Sequence, residues 1–142
     1  MAHDGLAQTF SALGTLAQQE ERKGDARHYF AQSEREFLQA IYWAEAQDKP
    51  QAIFYANLGW FYLERQRHSE AIEAFELAMS EDFEFFGNYW GIGRAMLEME
   101  NFEDARYYLG IALDNAPEDL QPPTSMEIPE LLQRCERLIS EN

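Results

Sequence analysis

Basic residues are scarce in this chain. Eleven lysines and arginines stand against 26 aspartates and glutamates, a formal charge of −15 over 142 residues. A surface this acidic repels phosphate backbones and anionic headgroups, so no nucleic-acid partner is expected. No apolar run approaches the ~20 residues that cross a bilayer, so no membrane insertion is expected either. The opening Met1-Ala2-His3-Asp4-Gly5 lacks the basic-then-apolar order of an export signal, which leaves a cytoplasmic location as the expectation. Cysteine is nearly missing. Cys135 has no partner for an internal disulfide and reads as a small apolar filler on a terminal helix. Proline is rare, with 5 in all.

Sites for chemistry are also missing. His3, His28 and His68 sit in unrelated contexts without metal-ligand spacing. No glycine-rich loop follows a strand, and no serine or cysteine sits in a motif that would place a base beside it. Acidic pairs such as Glu20-Glu21 and Glu103-Asp104 fall at helix ends or exposed faces, where they solvate the surface, and those at helix starts also complement the helix dipole. No catalytic residue, metal or cofactor is expected.

What the chain does hold is an internal repeat. The pairs Tyr55/Tyr89, Leu58/Ile92, Gly59/Gly93, Tyr62/Met96, Ala71/Ala105, Phe75/Leu109, Ala78/Ala112 and Phe83/Pro117 all lie 34 residues apart. A period of that length marks a repeated supersecondary unit that buries its apolar face only by stacking on its neighbours. Gly59 and Gly93 fall mid-helix, where glycine is about 1 kcal/mol worse than alanine, so a second helix must approach closely. The alanines are expected as the small residues facing those glycines, with the rings filling the space between hairpins.

A divergent unit comes first. Phe10, Leu13-Gly14, Ala26 and Phe30 match in kind, with Ser33 in place of the second alanine. Gly14 to Gly59 is 45 residues, eleven more than the regular period. Eleven residues are about three helical turns, so the second helix of this hairpin can lengthen without rotating its face. Residues 25–47 contain neither Gly nor Pro, and the predicted long helix exposes Tyr42 and Trp43 at its end. Helices are predicted near 5–22, 25–47, 51–66, 69–81, 85–99, 102–115 and 128–140, with Pro50 in the first turn of the third and Asn101 capping the sixth. Residues 116–124 read as a linker. Beyond it Ile128, Leu131, Leu132, Cys135, Leu138 and Ile139 form one apolar stripe, as a helix closing the end of a stack requires.

The stretches Tyr55-x-x-Leu58-Gly59-x-x-Tyr62 with Ala71, Phe75 and Ala78, and Tyr89-x-x-Ile92-Gly93-x-x-Met96 with Ala105, Leu109, Ala112 and Pro117, resemble the tetratricopeptide repeat. The resemblance implies an all-α fold. It would be a single domain over 1–142, a right-handed superhelical stack of three hairpins at about 7–51, 52–85 and 86–119, plus the C-terminal capping helix. It also implies a protein-interaction scaffold whose first helices line a concave groove. Carried over position by position, the groove residues would be Ile53, Asn57, Trp60, Leu63, Gly87, Trp90, Gly91, Arg94 and Leu97, with Gln8, Ser11 and Thr15 from the first repeat. Gly87 and Gly91 would leave a depression beside Trp90. Trp60 and Trp90 either line this face or turn inward to fill the seam between repeats.

Family members that clamp a C-terminal carboxylate do so with lysine, asparagine and arginine. The corresponding positions here are Ser11, Thr15, Asn57, Gly87 and Gly91, so only the asparagine is kept. The expected occupant is therefore a protein or peptide segment with apolar side chains and a basic flank. The acidic composition, the repeat number and Tyr89-Trp90-Gly91-Ile92-Gly93 are also similar to small chaperones of type III secretion, an alternative that holds hydrophobic segments of exported proteins. A homodimer through the long helix 25–47 is a further expectation.

Overall fold

The computed structural model describes residues 3–49, 51–81, 85–122 and 124–141. Pro50 and Phe83, singled out above, lie outside them. Among the described residues there are seven α-helices and no strand: α1 (His3–Gln19), α2 (Lys23–Ala46), α3 (Ala52–Glu64), α4 (His68–Glu81), α5 (Phe86–Glu98), α6 (Phe102–Asn115) and α7 (Thr124–Ser140). The helices pair as antiparallel hairpins, α1 with α2, α3 with α4 and α5 with α6, and the hairpins stack in chain order with α7 laid on α5 and α6.

The hairpin turns are built alike. Glu21, Gln66 and Glu100 each adopt a left-handed conformation, with φ of 60°, 62° and 63°. Each is followed by a backbone N–H that reaches back five residues, Arg22 to Ala17 at 2.8 Å, Arg67 to Tyr62 at 2.9 Å and Asn101 to Met96 at 2.9 Å. This closes the helix end by the Schellman pattern, here without the glycine that usually relieves it. Asn101 stands at the N-cap of α6, but its side chain makes no cap hydrogen bond and lies against the Met96 sulfur instead.

The mid-helix glycines are explained by large side chains. A Cβ on Gly14 would meet the Phe30 ring, one on Gly59 the Phe75 ring and one on Gly93 the Leu109 side chain, each at under 3.0 Å. The expected pairing of small residue with small residue is therefore corrected: in each hairpin a bulky group of the second helix fills the notch of the first. Phe75, Leu109, Ala71, Ala78, Ala105 and Ala112 are fully buried as a result.

α2 runs 24 residues against 14 for α4 and for α6, so its last turns pass the end of α1. There the Tyr55 hydroxyl donates to Glu45, tying the overhang to α3. Burial first, then the hydrogen bond and charge of Glu45 with Glu81 behind it, push the Tyr55 phenol up to about 12. A neutral phenol is thus favoured in the folded state relative to the ordinary value near 10. Its contribution is complete below about pH 10 and is lost as pH rises toward the folded value. Thermal melts between pH 9.5 and 11.5 should show wild type losing about 1–2 kcal/mol more than Tyr55→Phe over that interval. Equal slopes would show that the phenol is not held neutral.

α7 starts four residues before the predicted 128 and carries Pro129 inside it. Proline is tolerated best in the first helical turn, and further in it forfeits a backbone hydrogen bond. In the structure Ile128 is buried against Tyr89 and Ala112, and that docking outweighs the single backbone hydrogen bond Pro129 forfeits.

Candidate functional site

The hairpin geometry turns one face each of α1, α3 and α5 to the inner wall of the stack. Between α1 and α3 that wall opens into a hollow of about 190 Å³, lined by Gln8, Ser11, Asn57, Trp60 and Glu64 around a floor of Phe37 and Phe61. The two floor rings are buried and lie 5.5 Å apart at 51°, so they form a fixed apolar base beneath a polar rim. Such a hollow suits one apolar side chain whose neighbours can hydrogen-bond to the rim.

Trp60 and Trp90 do both things the sequence allowed. Each is partly buried; Trp60 meets Phe75 edge-on at 5.3 Å and Trp90 at 4.9 Å, while Trp90 also stacks on Phe86. The Trp90 indole nitrogen is buried with no acceptor among the described residues, and the ring contacts with Trp60 and Phe86 place it in the seam between repeats. Trp60 keeps an edge on the hollow. Arg94 lies with its guanidinium 5.7 Å from the Trp60 ring centre and its Nε 3.5 Å from a carboxylate oxygen of Glu127 on α7. Asn57 donates its side-chain N–H to both carboxylate oxygens of Asp4, at 3.2 and 3.3 Å.

Several expected groove residues are placed elsewhere. Leu63 is 7% exposed and belongs to the core around Phe75, and Leu97 is 4% exposed beneath Cys135 and Leu131 of α7. Both sit near helix ends, where the following turn or the capping helix covers them. No depression exists at Gly87 and Gly91: the Phe85 ring occupies the first notch and the Phe75 ring the second. Ile53 is 50% exposed and stands apart from the hollow. Of the nine residues, the hollow brings together Asn57 and Trp60, with Arg94 beside Trp60. Phe37 and Phe61 were missed. Phe37 lies on the lengthened helix, where the repeat supplies no counterpart. Phe61 corresponds to Ala95, which offers no clue to a floor.

A larger cleft of about 740 Å³ lies at the turn end of the first two hairpins. It mixes Lys23, Arg27 and Arg65 with Glu21 and Glu64, so it favours neither sign of ligand. Among the described residues no group of three or more His, Cys, Asp or Glu could hold a metal ion, and no helix is long and apolar enough to cross a membrane.

Stacked antiparallel hairpins with a closing helix define a helical-repeat architecture. The fold is that of the tetratricopeptide-repeat domain. The Sgt2 domain of this kind from Aspergillus fumigatus superposes with a TM-score of 0.68 at 19% identity, over 95% of this chain and 80% of that one. The first such domain of Spaghetti (RPAP3), bound to the HSP90 peptide SRMEEVD, gives 0.64 at 12% identity over 96% and 95%. The second domain of human RPAP3, in complex with the HSP70 peptide SGPTIEEVD, gives 0.62 at 15% over 92% and 98%. By sequence, no family model and no curated protein matches the chain.

Proposed function

We propose that this chain is a protein-interaction module that seats a segment of a partner protein on the inner wall, with one apolar side chain in the hollow between α1 and α3. The observation that carries the reading is that hollow: a solvent-open cavity with two buried rings for a floor and uncharged amide and hydroxyl groups on most of its rim. The structural neighbours named with peptides hold sequences ending in Glu-Glu-Val-Asp. The wall described here disfavours such acidic ends. Ser11, Thr15, Gly87 and Gly91 supply no cation, Asn57 is engaged by Asp4, and Arg94 faces Glu127. With Glu64 on its rim and Asp4 against Asn57, the site selects an apolar anchor flanked by lysine or arginine.

The test is selection from a random displayed peptide library on the wild-type chain, followed by affinity measurement on Ser11→Trp, whose indole fills the hollow. Selected peptides should carry an apolar residue within a few positions of a basic one and lose at least about tenfold in affinity for the variant. Acidic C-terminal sequences, or equal binding to both forms, would remove the hollow from the site. A chaperone for exported proteins would use the same wall and would instead select runs of apolar residues without a basic flank.

A further inference from the structure

The two ends of the stack are finished differently. At the C-terminal end α7 buries the last apolar face, with Ile128 and Cys135 fully covered. At the other end, among the described residues, no helix covers the face of α1 turned away from α2 and α3. The register of the repeat shows what that face is built for. Thr9, Leu13 and Leu16 correspond to Phe54, Leu58 and Phe61 of α3 and to Asn88, Ile92 and Ala95 of α5. In the inner repeats these positions receive the preceding hairpin: Leu58 is 5% exposed, Phe61 4%, Ile92 1% and Ala95 0%. In the first repeat Leu13 is 36% and Leu16 46% exposed, with Leu6 at 43% completing the row. Phe10 and Tyr29, stacked at 6.4 Å, carry the face onto α2, where Tyr29 corresponds to the buried Ala74. This is an inter-repeat surface without a repeat on it, on the side of α1 away from Ser11 and the hollow.

We infer that the occupant is a second copy of this chain, joined by a two-fold axis that sets α1 antiparallel to its counterpart. Charge favours it. In a chain of net −15, two copies repel over most of their surface, yet α1 carries Asp4 as its only acidic residue among 17. The pattern is also self-complementary. Leu6, Thr9, Leu13 and Leu16 follow the spacing of a heptad seam, and antiparallel pairing sets Leu6 of one copy opposite Leu16 of the other and Leu13 opposite Thr9. At the far end α7 already occupies the face that buries Ile128 and Cys135, and a surface that matches itself closes as an isologous pair. α1 is about 25 Å long, so the two copies bury on the order of 1,000 Å², near the lower limit for a specific interface. The dimer is therefore reversible.

Sedimentation equilibrium of the full chain from ~1 to ~300 µM tests this. The weight-average mass should rise with concentration toward twice the monomer. Leu13→Glu with Leu16→Glu changes only residues exposed in the monomer; it should keep the far-UV circular dichroism and thermal midpoint while weakening self-association at least about 30-fold. Leu6→Glu alone should act in the same direction, and Trp43→Ala should leave the mass unchanged. A monomer at every concentration overturns the inference. So does a dimer that survives Leu13→Glu with Leu16→Glu, or one that is lost with Trp43, which would move the contact to the overhang of α2 with its exposed Leu38 and Tyr42. None of these outcomes bears on the hollow, which is tested with peptides.

Discussion

Phe75→Ala should destabilise the chain by about 3–5 kcal/mol, and the same substitution should reverse the sign of a second one at Gly91. Phe75 is fully buried and lies between two glycines, Gly59 in its own hairpin and Gly91 in the next, each of which would place a Cβ under 3.0 Å from the ring. Trp60 closes a third side, edge-on at 5.3 Å, so the ring has no room to yield. In the wild type, a Cβ on Gly91 would meet three Phe75 ring atoms at no more than 2.8 Å. Gly91→Ala therefore overpacks this site toward the upper end of the usual cost, about 2–3 kcal/mol, above the ~1 kcal/mol that alanine gains over glycine within a helix. In the Phe75→Ala background the added methyl enters vacated space, so both terms favour it and stability rises by about 1 kcal/mol. Urea denaturation of the four proteins in this cycle measures the coupling. If Gly91→Ala costs the same with and without the ring, Phe75 is not what requires the glycine.

Ile128→Asp should release α7 while leaving the hairpins helical. Ile128 is 1% exposed against Tyr89 and Ala112, so an aspartate there buries a carboxylate in an apolar contact at about 3–5 kcal/mol. Each unit of a repeat stack contacts only its neighbours, so the loss is confined to α7 and the surface it covers. Cys135 reports the release. In the wild type its thiol is buried in the contact with Leu97, Ala105 and Leu109, and burial also holds its pKa above the ordinary thiol range. With α7 undocked, Cys135 should react with a disulfide reagent at least about 100-fold faster at unchanged pH, while far-UV circular dichroism falls by no more than the α7 share. Rapid reaction in the wild type would show that α7 is not a closed cap.

Much of the fold could be read from composition and spacing, for a physical reason. Repeat positions recur because every inner hairpin solves the same packing problem, so Gly59 and Gly93 or Ala71 and Ala105 appear in pairs. The lengthened α2 was legible because eleven residues preserve helical phase. Contacts made once are not legible in this way. Nothing in the spacing shows that Phe75 rather than an alanine enters the glycine notch, because that depends on how far one helix rotates against the other. Leu63 and Leu97 fit the groove pattern by position but lie where a turn or α7 covers them. Asp4 reaching Asn57, Glu127 reaching Arg94 and Phe37 beneath the hollow join residues 53, 33 and 24 positions apart. Such pairings follow from the curvature of the stack, which no local pattern encodes.

A two-dimensional NMR titration of the labelled chain with a library-selected peptide tests the central claim most directly, since Trp43, Trp60 and Trp90 give separate indole signals. Binding on the inner wall predicts that the Trp60 indole and the amides of Ser11 and Asn57 shift with a common dissociation constant while Trp43 stays in place. Shifts confined to Trp43 and its neighbours on α2, or to Leu13 and Leu16 on the outer face of α1, would place the peptide elsewhere and contradict the account.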